Sequence, residues 1–231
     1  VVGMSFAIEG GPAHYLPIRH AGGGNLDRDH VAAYLRDQAA AFGGEIVGAN
    51  LGYDVEYLAT DLGVEFSPRR FLDVQVVEPL LDELQMSYSL DNILHRHGLP
   101  GKDETLLRQA AGALGVDPKK DLWRLPSWMV GAYAEGDVTK PLDLIRRQEK
   151  MIEEQGLRTV FERECRLLPV LIRMRRRGVR IDQDRLAQVE TWARAREAAA
   201  CAEIHRLTGH HFGIDDCGKK QVLLPILKEA G

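Results

Sequence analysis

Two short segments of the sequence combine acidic side chains with tyrosine in a pattern that could support metal-assisted hydrolysis. The first segment is Asn50-Leu51-Gly52-Tyr53-Asp54, and the second is Tyr133-Ala134-Glu135-Gly136-Asp137. Residues four apart in a helix lie about one turn apart on the same face, so Tyr133 and Asp137 are predicted to be neighbours. Carboxylates are preferred ligands of hard cations such as Mg²⁺ and Mn²⁺, and a tyrosine hydroxyl near them can orient a water molecule.

Each segment also has a purely structural interpretation. An aspartate in the first turns of a helix more often interacts with the helix dipole, and a Tyr/Asp pair on a helix is usually structural. Two cations roughly 3.5–4 Å apart can activate a water molecule and stabilise the leaving oxygen of a phosphodiester. If Asp54 and Asp137 share such a pair of ions, their carboxylates must converge in the fold, and the hydrolytic interpretation predicts that they do.

The opening of the chain is predicted to form a β-hairpin. Residues 1–8 and 14–18 are apolar and β-rich, and they flank the turn signal Gly10-Gly11-Pro12. The next glycine-rich stretch, Gly22-Gly23-Gly24, is expected to be only a loop, because no Gly-Lys-Ser/Thr follows it to bind phosphate.

A strand followed by a helix is predicted to present Asp54. Residues 45–50 are typical of a short buried strand, and Asn50 is a suitable N-cap for the following helix, which Gly63 would end. Residues 71–77 predict another strand that passes directly into a helix. This alternation of strands and helices favours an α/β domain in which helices cover a sheet.

A long helix is predicted to present Tyr133 and Asp137. It is expected to begin near Ser127, and Pro141 lies inside it. Because proline has no N–H and its ring clashes with the carbonyl group of the residue four positions earlier, we expect the helix to kink or restart at Pro141.

The chain changes character after Gln155-Gly156, where we place a domain boundary. Residues 162–177 are predicted to form an amphipathic helix, and residues 178–181 a turn and a short strand. Asp182 is the predicted N-cap of a long helix that extends to about Leu207. The apolar side of the amphipathic helix is predicted to comprise Leu167, Leu168, Val170, Leu171 and Met174.

Composition narrows the class of protein. The 231 residues are 45% hydrophobic and 28% charged, which is ordinary for a globular protein with a real core. No apolar run is long enough to cross a bilayer, so we expect no membrane association. Cys165, Cys201 and Cys217 lack the spacing of a zinc site and favour reduced thiols in a cytoplasmic protein. The net charge of −4 leaves nucleic-acid binding open, because phosphate contacts depend on local patches.

Several segments, in order along the chain, resemble the proofreading domain of bacterial DNA polymerase I. Residues 2–7 and 13–20 look like the second and third strands of that domain. Residues 48–54 are similar to its second exonuclease motif, and residues 133–139 are similar to its third motif, of the Tyr-x-x-x-Asp kind. The chain does not begin with Met and opens on residues typical of a strand interior, so we expect a fragment of a longer protein.

A further segment, Glu164 to Leu171 continued by Met174 and residues 178–182, is similar to the opening of the family A polymerase domain. Freestanding nucleases of the same superfamily, such as ribonuclease D, lack it. The resemblance implies an N-terminally incomplete 3′–5′ exonuclease domain over residues 1–156 and thumb-region helices of the polymerase domain over residues 157–231. The implied fold is α/β and ribonuclease H-like, a mixed sheet flanked by helices and followed by a helical segment.

The resemblance also implies roles for single residues and partners. Asp54 and Asp137 would be metal ligands, and Tyr133 would position the attacking water. Asn50 and Tyr53 would contact the substrate strand. The cofactors would be two Mg²⁺ or Mn²⁺ ions. The partners would be the single-stranded 3′ end of DNA, a primer–template and, for the parent enzyme, dNTPs; we expect a monomer.

One motif of the family is absent from the sequence. The first exonuclease motif, Asp-x-Glu, lies in the family on the strand before Val1. Without it the acidic set is half complete, so the fragment is expected to bind metal ions poorly and to be weak or inactive. A second hypothesis stays open, in which the domain is a catalytically inactive scaffold that braces the polymerase. The residues upstream of Val1 would discriminate between the two.

Overall fold

The computed structural model describes residues 1–118, 120–211, 213–216 and 218–229. The chain divides into two compact units, Val1–Arg177 and Gly178–Gly231. Strands and helices alternate in the first unit, and the described part of the second unit contains helices. The α/β class predicted from the sequence is therefore confirmed.

The elements follow one another in a simple order. In the first unit they are β1 (Gly3–Ala7), β2 (Ala13–Pro17), α1 (Arg28–Ala41), β3 (Glu45–Gly48), α2 (Leu51–Leu62), β4 (Arg70–Asp73), α3 (Val74–Leu81), α4 (Leu90–Arg96), α5 (Thr105–Leu114), a 3₁₀ turn (Leu122–Arg124), α6 (Ser127–Glu154) and α7 (Arg158–Arg177). In the second unit they are α8 (Gln183–Thr208), a 3₁₀ turn (Ile214–Asp216) and α9 (Lys220–Glu229). None of the helices in the described ranges is both long and apolar enough to cross a membrane.

The four strands of the described residues form two pairs. β1 and β2 form the predicted antiparallel hairpin, in a register that begins with Gly3 opposite Pro17. β3 and β4 pair in parallel, beginning with Glu45 opposite Arg70, and α2 connects them. The sequence predicts one mixed sheet, but within the part of the chain that the structure describes the strands form two separate two-stranded sheets.

The helix α6 packs against both sheets and carries much of the main core. Leu144, Ile145 and Ile152 of α6 are almost fully buried, in a cluster that also contains Leu72 and Val74. Burial of an aliphatic side chain of this size stabilises the fold by roughly 1.5–3 kcal/mol. This packing holds α6 in place along its length.

Pro141 does not interrupt α6, which continues as one helix from Ser127 to Glu154. Proline has no N–H, so the carbonyl group of Asp137 lacks that intrahelical donor. The side chain of Pro141 is itself buried, and the helix packs against the sheets. The predicted restart of the helix is therefore wrong, because tertiary packing outweighs one missing hydrogen bond.

The buried face of α7 differs from the predicted face. The helix was predicted to begin at residue 162, but α7 begins at Arg158, and Phe161 sets the phase of the buried side chains. The buried residues are Phe161, Cys165, Leu168 and Ile172, so of the five predicted residues only Leu168 is buried among them. Leu167, Val170, Leu171 and Met174 are exposed.

The end of the first unit also departs from expectation. Residues 178–181 form no strand, because no described strand lies beside them to pair with. Asp182 does cap α8, since its side chain accepts a hydrogen bond from the N–H of Arg185. The functional boundary near Gly156 stays a prediction; α7, which follows it, packs on β4, α2 and α3 within the first unit. Cys165 and Cys201 are free thiols, and Cys217 lies outside the described residues.

The loop with three consecutive glycines anchors the start of α6 and is thus more than a connection. Ser127 donates its backbone N–H to the carbonyl oxygen of Gly23 (3.1 Å) and its hydroxyl to that of Gly24 (2.8 Å). A Cβ atom on Gly22 would lie 2.4 Å from the backbone nitrogen of Pro126. The loop therefore lies directly on the residues that begin the helix carrying Tyr133.

A buried histidine adds a second connection to the same region. The Nδ1 atom of His20 lies 2.8 Å from the carbonyl oxygen of Leu125, so Nδ1 carries the proton and donates it. The Nε2 atom lies 2.6 Å from the hydroxyl of Tyr15, which donates to it in the neutral ring. The pKa of His20 is lowered, because burial outweighs the hydrogen bond to Leu125. β2 and the segment before α6 are thus joined through a neutral imidazole.

We predict that Gly22→Ala lowers the free energy of unfolding by about 1–3 kcal/mol, because the added Cβ would meet backbone atoms that cannot rotate away. The matched control is Gly112→Ala in α5, where a Cβ would meet nothing within 4 Å. It should raise stability by about 0.5–1 kcal/mol, as expected for a helix interior. Denaturant unfolding of both variants measures the difference. Wild-type stability for Gly22→Ala would show that the loop does not pack closely on α6.

Candidate active site

A cleft of about 1880 Å³ opens in the first unit. β1 and β3 both line it, together with parts of α2 and α6. Among the described strands β1 pairs only with β2, and β3 pairs only with β4. The cleft is therefore lined by two strands that each have one edge without a neighbouring strand in the described chain.

The predicted site residues reach this cleft from two distant parts of the chain. α2 supplies Tyr53 and Asp54, and α6 supplies Tyr133 and Asp137; all four line the cleft. Asn50 is exposed but is not part of the cleft lining. The structure thus brings four of the five residues to one cavity, while the sharing of metal ions by the two carboxylates stays a prediction.

The buried carboxylate of Asp73 fixes the start of α2. Its Oδ1 accepts hydrogen bonds from the N–H groups of Asn50 (3.1 Å) and Gln75 (3.0 Å), and its Oδ2 accepts one from Leu51 (2.8 Å). One side chain at the end of β4 therefore caps α3 and also satisfies the first N–H groups of α2, which helix ends leave unpaired. This arrangement fixes the turn of α2 that carries Asp54.

Asn50 occupies the predicted N-cap position but does not cap the helix with its side chain. Its backbone is left-handed, with φ 59° and ψ 43°, and its side chain makes no capping hydrogen bond. Asparagine tolerates this conformation better than most residues. The predicted capping role is wrong, because Asp73 supplies the oxygen from a neighbouring strand. The contact of Asn50 with a substrate strand stays a prediction.

The acidity of Asp54 is shifted towards neutral pH. Its pKa is raised to about 6, first because surrounding protein atoms displace water in the cleft and second because the negative charge of Asp73 lies near. The side chain is still open to solvent along the cleft. A carboxylate with such a shift in a cleft is typical of functional sites, and a cation beside it would favour its charged form.

Asp137 is held by two lysines. The Nζ of Lys102 lies 3.0 Å from its Oδ2, and the Nζ of Lys140 lies 3.6 Å from its Oδ1. The Oδ1 atom is buried and has no hydrogen-bond partner among the described residues. A buried carboxylate oxygen with spare acceptor capacity is suited to bind a further cation or donor.

Tyr133 keeps its proton over the physiological pH range. Its pKa is raised, first by burial and then by the negative charge of Asp137 one turn later on α6. The ring packs against a small apolar cluster that contains Leu107, Leu125 and Val130. A neutral hydroxyl held in this way can both donate and accept, so it is able to orient a water molecule.

Tyr53 forms an aromatic pair that the sequence analysis missed. Its ring centroid lies 4.5 Å from that of Tyr57, and the two planes are inclined by 44°. Both rings are about half exposed and line the cleft. Their spacing of four on α2 was the available signal, since it places both rings on one helix face. The pair offers a surface on which a base could stack.

Asp73 and Lys102 are the other contributors that the sequence analysis did not single out for the site. The position of Asp73, directly after an apolar strand and before a helix, indicates a capping residue. Lys102 gives no such signal, because it lies in a loop and reaches Asp137 only through the tertiary fold.

The residues of the cleft fit a metal site only in part. Of the carboxylates that line it, Asp54 and Asp137 are the two predicted metal ligands, and one oxygen of Asp137 has no hydrogen-bond partner in the described chain. Over the ranges that the structure describes, however, no group of three or more His, Cys, Asp and Glu side chains is placed to hold a metal ion. Asp73 does not extend the set, because both of its oxygens accept backbone N–H groups.

Comparison with known proteins relates the chain to DNA polymerases. No protein-family model matches it. It is 52% identical to a DNA-directed DNA polymerase of Pseudomonas phage M6, over 100% of the chain and 35% of that protein. It is 29% identical to DNA polymerase DpoZ of Acinetobacter phage SH-Ab 15497, over 99% of the chain and 36% of that protein. DNA polymerase I of Rhizobium leguminosarum is 28% identical over 93% of the chain, which covers 22% of its length.

The chain thus spans 22–36% of the length of these three relatives. They include a bacterial DNA polymerase I, so the resemblance to family A DNA polymerases that the sequence predicts is confirmed.

We predict that Asp73→Asn lowers the pKa of Asp54 towards its ordinary value, because it removes the neighbouring negative charge. The variant should also lose about 1–3 kcal/mol of stability, since an amide replaces an oxygen that accepts a buried N–H. NMR titration of the carboxyl groups measures the first effect, and Asp143→Asn on the exposed side of α6 is the control. An unchanged pKa for Asp54 in Asp73→Asn would contradict the coupling.

A second prediction concerns the pH dependence of stability. The pKa of Asp54 in the folded protein, about 6, lies above the ordinary aspartate value of 3.8, so the folded state binds this proton more tightly than the unfolded state. Protonated Asp54 therefore stabilises the folded state below about pH 4, and this contribution is lost as the pH rises through about 6. Unfolding measured from pH 4 to pH 7 should therefore show a decline for wild type relative to Asp54→Asn. Parallel curves for the two proteins would refute the shift.

Proposed function

We propose that this chain, a segment of a family A-like DNA polymerase, forms the 3′–5′ exonuclease part of that enzyme. Its substrate would be the terminal phosphodiester of single-stranded DNA. The observation that supports this most strongly is that Asp54, Tyr133 and Asp137 come from distant helices and line one cleft. The whole polymerase would also take a primer–template and dNTPs, as a monomer in the cytoplasm.

The open edges of β1 and β3 support a ribonuclease H-like architecture. A strand placed between them would join the two small sheets into one mixed sheet, in the order β2, β1, added strand, β3, β4. The cleft that both strands line has a volume of about 1880 Å³, enough for an extended segment. In the family, the strand before Val1 carries Asp-x-Glu. Residues two apart on a strand share a face, so both carboxylates could point into the cleft.

The chemistry would be shared between the two helices. Asp54 and Asp137 would hold Mg²⁺ or Mn²⁺ together with the two carboxylates of the added strand. Such ions, when bound, promote ionisation of a water molecule and stabilise the leaving oxygen. Tyr133, which stays protonated, would orient the attacking water through its hydroxyl. The ring of Tyr53 would stack on a base of the frayed 3′ end, beside Tyr57.

A non-catalytic scaffold is the competing function, and one observation favours it. Lys102 and Lys140 form ion pairs with Asp137, so the negative charge of this carboxylate is balanced without a metal ion. In that case the domain would only brace the polymerase. An exonuclease would release nucleotides from a 3′ end and stop when a chelator removes the metal ions, whereas a scaffold would release none in either condition.

We predict that the whole polymerase releases mononucleotides from the 3′ end of a labelled oligonucleotide when Mg²⁺ or Mn²⁺ is present, and stops when a chelator is added. Asp54→Ala and Asp137→Ala should each reduce this release to background, because each removes a metal ligand. Asp143 lies on the exposed surface of α6, so the control variant Asp143→Ala should keep wild-type activity.

The 231-residue chain by itself should show only background activity, because it offers two of the four expected carboxylates. A whole polymerase that stays inert even with Mn²⁺ would favour the scaffold. If the isolated chain proved active and sensitive to chelator, another carboxylate such as Glu135 would have to complete the site.

A further inference from the structure

Lys102 differs from the other basic residues that line the cleft. Arg69, Arg108 and Arg146 also line it, and each pairs with a glutamate that is not a predicted site residue: Glu45, Glu104 and Glu9 respectively. Lys102 instead pairs with Asp137, at 3.0 Å, and its Nζ lies 5.9 Å from the ring centroid of Tyr133. Among the described cleft residues, it is therefore the cation that contacts two predicted site residues.

The backbone of Lys102 is fixed although its side chain is long. Its N–H donates a hydrogen bond to Oδ1 of Asp91 at the start of α4 (2.9 Å). A Cβ on Gly101 would lie 2.7 Å from the same oxygen, so the carboxylate of Asp91 packs directly on this part of the loop. The side chain reaches from this anchored point to Asp137, and its four-carbon stem lets the ammonium group move while the backbone stays in place.

The pairing of Lys102 with Asp137 conflicts with metal binding by the same carboxylate. A divalent cation at Oδ2 of Asp137 would bring two positive groups together, and they would repel each other. The lysine side chain is only 28% exposed, so it needs another anionic partner when it leaves Asp137. The phosphate groups of an incoming DNA strand carry the required charge.

We propose that Lys102 is a phosphate-binding residue of the cleft. Its ammonium group pairs with Asp137 in the free protein and passes to a backbone phosphate of single-stranded DNA when the strand enters. This inference rests on the proposed function, because it takes the cleft to be the site of the DNA strand.

Lys140 provides a matched control. Its Nζ lies 3.6 Å from Asp137 and its side chain is 16% exposed, so it too is a lysine paired with the same carboxylate. It does not belong to the cleft lining. A purely structural ion pair would make the two lysines equivalent, whereas phosphate binding requires the one that lines the cleft.

The test measures binding of a short fluorescein-labelled oligothymidylate to the whole polymerase by anisotropy, in excess chelator so that no cleavage occurs. Lys102→Met should weaken binding about tenfold, the loss expected for one charge-assisted contact. The slope of log Kd against log salt should fall by about 0.7, as expected for one phosphate contact on a single strand. Lys102→Arg should keep the slope, and Lys140→Met should bind like wild type. Binding elsewhere on the polymerase is the same in all variants, so a difference between variants reports on the cleft.

Three results would overturn the proposal: no binding by wild type, unchanged binding by Lys102→Met, or equal weakening by Lys102→Met and Lys140→Met. Thermal unfolding checks that the variants are folded, and Lys102→Gln replaces Lys102→Met if the latter is not. The nuclease assay separates the two proposals. If the polymerase releases no nucleotides but Lys102→Met weakens DNA binding, the cleft binds DNA without exonuclease activity. If the polymerase is an active exonuclease and Lys102→Met binds DNA normally, the proposed role of Lys102 is wrong and the exonuclease proposal stands.

Discussion

The candidate site depends on one buried carboxylate, that of Asp73. It accepts hydrogen bonds from three backbone N–H groups, which belong to the start of α2 and to the first turn of α3. A buried charge is stable only when such partners satisfy it, and a buried N–H group left unpaired costs about 1–3 kcal/mol. The strand β4, the helix α3 and the helix α2 are thus fixed to each other at one point. Burial raises the pKa of Asp54 most, and the charge of Asp73 raises it further, so the residue that orients the helix also contributes to the acidity of the side chain it presents.

The other half of the site is held by different interactions. The start of α6 is fixed by the glycine loop through Ser127 and by His20 through the carbonyl group of Leu125. Further along, α6 is held by core packing against both sheets. Because each helix is anchored by backbone hydrogen bonds and buried side chains, Tyr133 and Asp54 project from rigid elements. A site built in this way keeps its geometry without direct contact between its two halves.

Features that depend on near neighbours in sequence were predictable. The hairpin, the start of α6 at Ser127 and the capping of α8 by Asp182 follow from turn residues, apolar patterning and N-cap chemistry within a few positions. The predictions that were wrong or incomplete depend on a partner residue that lies far away in the sequence. Asp73, 23 positions after Asn50, accepts the hydrogen bonds at the start of α2 that Asn50 was predicted to cap. Lys102, 35 positions before Asp137, forms an ion pair with it.

The pattern of charge in the cleft links completion of the sheet to the binding of cations. On the α2 side, burial and the nearby charge of Asp73 raise the pKa of Asp54, so its ionised form is disfavoured there. On the α6 side, two lysines balance Asp137. A strand carrying Asp-x-Glu between β1 and β3 would add two further negative charges to this cavity. Like charges at short range in a partly dehydrated cleft repel strongly, so the completed sheet would hold its carboxylates ionised only with cations between them. Under the proposed function, the divalent ions that the hydrolysis requires would also relieve the repulsion between these carboxylates. Lys102 supplies part of the balancing positive charge until the ions and the DNA strand bind.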